Sequence, residues 1–162
     1  MAIGDFENKN ICFSNYGNID AETTTLSTPG QYQALGIRNA QEMVENNVKL
    51  VNGRFQIIDT GVYFCQYRFA FSGGVNNTYK FRLATIKDFV TTAVPDSEIE
   101  FNTKSTNTWE VCNSMFIKFD PVDIDNKGFG STKQELFAQV QNVNNANSLV
   151  SENYSIVIAK II

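Results

Sequence analysis

A chain of 162 residues, 43% hydrophobic and 19% charged, carries enough apolar material for one folded domain with a real core. Its net charge of -4 and sequence pI of about 4.8, with basic residues scattered singly, exclude a nucleic-acid binder that works by charge. The absence of histidine removes the commonest general base, the commonest metal ligand and the usual near-neutral pH switch.

Residues 1–20 are polar, with Asn8, Asn10, Asn15, Gly17 and Asn18 interrupting any period, and read as an arm or a first weak strand. Thr23 to Leu26 is a short β-branched run closed by the turn signal Thr28-Pro29-Gly30. Gln31 to Ile37 predicts another short strand, and Ala40, Met43 and Val44 have the spacing of one helical turn. Beyond them the period is two. Val48 to Val51 leads through Asn52-Gly53, a strong hairpin signal, to Arg54–Ile58.

The longest alternation runs from Val62 to Phe71, with Tyr63, Cys65, Tyr67, Phe69 and Phe71 on one face. Tyr79, Phe81 and Leu83 alternate against Lys80 and Arg82. Residues 86–108 are mixed, with Pro95 in an expected long loop. Trp109 to Phe119, Leu136 to Val140 and Tyr154 to Ile162 complete the strands, the last expected at the centre of a sheet. About eight to ten short strands separated by turn signals predict an all-β sandwich, jelly roll or barrel.

Cys12, Cys65 and Cys112 lack metal-ligand spacing, and the apolar setting of Cys65 and Cys112 predicts buried free thiols. The N-terminal sequence lacks the basic and apolar regions of a signal peptide, and no apolar run reaches membrane-spanning length, so no membrane insertion is expected. Asp123 to Gly128 has the start of a calcium loop, but Lys127 stands where a ligand is wanted and no closing Glu follows. Asp96, Glu98 and Glu100 alternate along one extended segment; paired carboxylates can hydrolyse glycosides, but a solvated acidic edge accounts for them. The sequence therefore predicts no enzyme, no metal and no cofactor. Trp109 is the candidate glycan contact, weighed against a buried or interface role.

Three blocks carry a family resemblance: Val51-Asn52-Gly53-Arg54-Phe55-Gln56-Ile57, then Gly61-Val62-Tyr63-Phe64, then Phe69-Ala70-Phe71-Ser72-Gly73 with Phe81-Arg82-Leu83 after it. Together they resemble the TNF/C1q-like jelly roll, a sandwich of two antiparallel sheets, and the later strands agree in order. The chain departs from that family in having Ser131 to Glu135 in place of a Gly-Asp turn, and in lacking a collagen-like stalk.

The resemblance implies a homotrimer whose subunits pack edge to face around an axis lined by aromatic and aliphatic side chains. Phe64, Phe116 and Phe137 fall out of phase with the main apolar rows of their strands, which predicts a second apolar face and assigns them to the trimer interface. The chain is similar to the TNF-like domains on phage and other viral particles. The expected organisation is an N-terminal arm, residues 1–22, that attaches to a capsid or fibre protein, followed by a jelly-roll domain, residues 23–162. The expected role is a virion protein of the capsid-decoration or head-fibre type, made in the host cytoplasm. The alternative is a carbohydrate- or receptor-binding module of a tail fibre or bacterial surface protein, with a host glycan or surface receptor as partner.

Overall fold

The computed structural model describes residues 13–14, 17–18, 21–36, 40–41, 44–45, 48–57, 59–87, 89–120 and 134–162. All regular structure among them is β. The first half supplies β1 (Phe13–Ser14), β2 (Gly17–Asn18), β3 (Glu22–Thr24), β4 (Gln33–Ala34), β5 (Ala40–Gln41), β6 (Val44–Glu45), β7 (Val48–Val51) and β8 (Arg54–Ile57). The long strands follow: β9 (Gly61–Gly73), β10 (Thr78–Lys87), β11 (Val90–Ala93), β12 (Ile99–Asn102), β13 (Trp109–Phe119), β14 (Gln134–Asn142) and β15 (Leu149–Lys160).

Two antiparallel sheets face each other. The first runs β13-β9-β15-β1-β6, with β3 also paired to β15; the second runs β11-β10-β14-β8-β7, with β12 beside β10 and β4 beside β14. β15 is central in its sheet, as its apolar sequence predicts, yet the last residues Ile161 and Ile162 are exposed. Where the sequence predicts a helical turn, Ala40 and Val44 lie in strands, and Met43 is outside the described residues. Ala40–Gln41 pairs with β2 and Val44–Glu45 with β1, so short ladders prevail over an i, i+3, i+4 spacing too brief to nucleate a helix.

The sandwich closes because each long strand turns one apolar row inward. Tyr63, Cys65, Tyr67, Phe69 and Phe71 of β9 meet Tyr79, Phe81 and Leu83 of β10, Leu136, Ala138 and Val140 of β14, and Tyr154, Ile156 and Ile158 of β15. Phe71 lies at the aromatic centre, 4.7 Å from Phe81 and 5.6 Å from Phe101 between ring centroids. The β7–β8 hairpin forms at Asn52-Gly53 with both residues in the left-handed region (φ 51° and 74°), as that pair of residues allows.

Residues 86–108 contain two strands, β11 and β12, where a loop was expected. Their connection turns at Pro95-Asp96, with Asp96 at φ 57°, and sinks Ser97 into the core. The Leu83 amide donates to Ser97 Oγ (3.0 Å), and the Tyr67 hydroxyl donates to the Ser97 carbonyl (2.7 Å), so one turn is held by both sheets.

The boundary expected at residue 22 falls inside β3, while β1 pairs with β15 and β2 with β5. Residues 1–12, with Cys12, and the calcium-like stretch 123–128 lie outside the described residues.

Candidate functional site

The outer face of the first sheet is set by the register of its three long strands. Phe116, Phe64 and Ala159 are opposite one another, followed by Ser114, Gln66 and Val157, then Cys112, Arg68 and Ser155. At the other side of the Phe64 row, Val62 opposes Lys118, and the Ile161 amide donates to the Val62 carbonyl (2.8 Å). A β-carbon at Gly61 would run into the Ile162 carbonyl, so the glycine lets the chain end lie close against β9.

One end of this face is therefore the richer in apolar side chains, with Lys118 and Ser114 beside Phe116 on its outer strand. Phe64 and Phe116 touch with ring centroids 5.7 Å apart, and Phe116 remains 69% exposed. Val62, Val157, Ala159 and Ile161 lie on the Phe64 side of the pair. Further along, the face turns polar: the Arg68 guanidinium donates to Glu110 at 2.5 Å, an exposed pair that holds the Glu110 carboxyl below its ordinary range. Such a pair contributes little to folding. Cys112 beside it is exposed, against the expectation of burial, because it falls on the outward phase of β13. Cys65 is buried as expected, and burial pushes its thiol up to about 12.

Phe137 is brought to neither of the other two phenylalanines. It points out of the second sheet, between the inward Leu136 and Ala138, and is only 5% exposed because Arg54 lies over its ring at 5.5 Å. Arg54 is itself held by Glu135 at 3.1 Å. Phe137 thus sits in the wall of a groove of about 880 Å³ between β3, β4 and the β7–β8 turn. Trp109 is half-buried against the core with its ring 5.2 Å from Phe101, the arrangement of a lid on the core rather than of a free stacking surface.

Two of the three acidic residues of 96–100, Glu98 and Glu100, are engaged with Lys80. Glu98 accepts from the Tyr32 hydroxyl (2.5 Å) and from Lys80 (3.0 Å), and Lys80 also reaches Glu100 at 3.6 Å. Arg82 lies 3.6 Å over the Tyr32 ring. The Tyr32 hydrogen bond, then Lys80, hold the Glu98 carboxyl below its usual range, the opposite of what a general acid needs. A folded-state carboxyl so lowered stabilises the fold above the ordinary glutamate range, and that contribution fades as pH falls through the lowered value. Melting temperatures of the parent and Glu98→Gln should accordingly differ most at neutral pH and converge as pH falls through and below the ordinary glutamate range. A gap that widens on acidification would contradict the assignment.

Two features were not legible in the sequence. Lys87 pairs with Val90, and Phe89 sits in the turn before Val90 at φ 64° and 100% exposed. Left-handed backbone in such a turn favours Gly or Asn, and a bulky aromatic there forgoes both burial and relaxed geometry. The second is the open edge of the sandwich. Among the described residues β13 pairs only with β9 and β11 only with β10, and between them runs a cleft of about 570 Å³ lined by Thr92 to Asp96 and Met115 to Lys118. Phe116 stands at the corner where this edge meets the apolar face. Among the described residues, no group of three or more Cys, Asp or Glu converges in the manner of a metal site.

No protein-family model matches the chain, and no curated protein sequence matches it. Solved structures do. The structure of Eiger TNF from S. frugiperda matches with a TM-score of 0.62 at 10% identity, covering 94% of each chain. Murine APRIL at pH 5.0 matches with a TM-score of 0.60 at 9% identity, covering 92% of this chain and 99% of the other. The chain therefore has the TNF-like jelly-roll fold that its strand blocks resemble.

Proposed function

We propose that the chain is a homotrimeric, non-catalytic assembly protein of the virion decoration or head-fibre type. The observation that carries the trimer is the Phe64–Phe116 pair: two touching aromatics on an outward sheet face, one of them 69% exposed, with aliphatic Val62 and Ala159 beside Phe64. A sandwich needs one apolar face per sheet, so a second one has its use between subunits.

The open β13–β11 edge of one copy would meet the Phe64–Phe116 face of the next. An edge-on-face contact uses two different surfaces, and it closes into a ring when the rotation per copy is one third of a turn. Phe137 is covered within its own chain and takes no part, which reduces the interface set to Phe64 and Phe116. The Phe89 tip projects from the same open edge and is offered to a protein partner, because its ring is fully exposed.

The virion role rests on the resemblance to particle-borne TNF-like domains, together with the acidic, histidine-free composition. Attachment belongs to the proposed N-terminal arm, of which residues 1–12 precede the first described strand. Particles purified from cultures that express the chain should carry it in multiples of three, and deletion of residues 1–12 should release it from particles as an intact trimer. A chain absent from purified particles contradicts the virion role, and a deletion variant that stays attached contradicts the arm.

A further inference from the structure

At the end of the sandwich away from Phe64 and Phe116, four connections meet: residues 25–31, 73–78, 102–109 and 142–148. Backbone bonds cross between them, from the Gly30 amide to the Asn142 carbonyl (2.8 Å), Asn76 to Thr103 (2.9 Å) and Val143 to Thr78 (2.8 Å). Buried polar side chains complete the ties. Asn77, Thr103 and Asn142 are each no more than 1% exposed. The Asn142 amide donates to Asn145 Oδ1 (2.8 Å), and Asn145 donates in turn to Asn77 Oδ1. Thr103 Oγ1 donates to the Gly74 carbonyl (2.6 Å) and accepts from the Asn77 amide (3.1 Å). These loops have no ladder of their own, and side-chain amides and hydroxyls fix them instead.

The surface that results is set in place and nearly without charge. Across the four connections Lys104 is the one charged residue, in a chain that is 19% charged overall. What faces water is mainly amide and hydroxyl, with Lys104, Pro29, Gly30, Ala146 and two valines, Val75 at 45% and Val143 at 41% exposure.

We propose that this end is a binding site for neutral oligosaccharides. A sugar hydroxyl both donates and accepts a hydrogen bond, and so does the asparagine amide, so the exposed Asn76 and Asn147 can serve such a ligand in either sense. Val75 and Val143 supply the apolar contact that the C–H face of a pyranose ring needs. A surface with one ammonium and no carboxylate has little to hold an acidic or basic partner. Loops already fixed lose little entropy on binding, which matters most for weak polar ligands.

The place in the fold also fits. The stretch of β9 from Phe64 to Gly73 spans about 30 Å at roughly 3.3 Å per residue, so the site is clear of the proposed interface. In a ring of three copies the three sites point the same way and bind with added avidity. The site lies within one chain, and only its avidity rests on the trimer.

The test is an array of neutral hexose and N-acetylhexosamine oligosaccharides alongside sialylated and sulfated ones. It is probed with the full chain, and again with the chain biotinylated and gathered on streptavidin, so that a failure of the trimer does not hide the site. Neutral probes should bind, and Val75→Glu with Val143→Glu should lose about tenfold or more of that binding at an unchanged melting temperature. Lys104→Gln should bind as the parent does. No neutral probe bound in either format, binding confined to acidic probes, loss of binding in Lys104→Gln, or full binding by a folded double variant would each overturn the proposal.

Discussion

Phe71→Ala should destabilise the fold by about 3–5 kcal/mol, the cost of truncating a buried aromatic whose neighbours cannot collapse into the space. Phe71 is fully buried and meets Tyr79, Phe81 and Phe101, whose rings come from the opposite sheet and its edge strand. The void would open between two sheets held apart by other large rings, such as Tyr67 stacked on Phe69 at 4.9 Å. Domains of this size are stable by only about 5–15 kcal/mol, so the loss is a large fraction of the whole. Thermal unfolding at fixed chain concentration should fall by roughly 10 °C. A shift of only a degree or two would mean that the aromatic centre does not hold the sheets together.

Phe116→Glu should leave the subunit folded and break the trimer. Its ring is mostly in water within the single chain, so the substitution removes little packing there. In the assembly the same position would be dry, and a carboxylate set against the Phe64 ring would be desolvated without a partner. A buried anchor of this kind is worth at least about 2 kcal/mol per contact, about thirtyfold in affinity, and a ring of three copies repeats the contact three times. Unchanged circular dichroism and melting at low concentration, with a fall in mass, is the expected pair of results. A variant that also unfolds would place Phe116 in the core instead.

The elements read correctly from the sequence are those whose two faces differ. β9, β13 and the core of β14 alternate apolar against polar or lead into a marked turn, and they stand where the alternation puts them. β11 was missed because Val90, Thr91, Thr92 and Ala93 are all exposed on an edge, so no alternation exists to detect. The two-residue strands near residues 13–45 are too short for any period and are held by pairing with β15 and with each other.

The same limit governed the site. Phe64, Phe116 and Phe137 share one sequence signal, an aromatic on the wrong phase. Phase tells a strand's face and not its sheet, so it could not show that Phe137 belongs to the opposite layer and lies under Arg54. Trp109 fits a glycan contact or a packed ring on its sequence; the structure places it half-buried against Phe101. Phe89 needed the hairpin register, which the sequence does not mark with the usual Asn-Gly.

The mass of the purified full chain by light scattering, followed from high to low concentration, tests the assembly most directly. The account predicts three times the chain mass of 18.2 kDa, stable over the range. A single-chain mass throughout would contradict it and leave the Phe64–Phe116 face without the partner assigned to it.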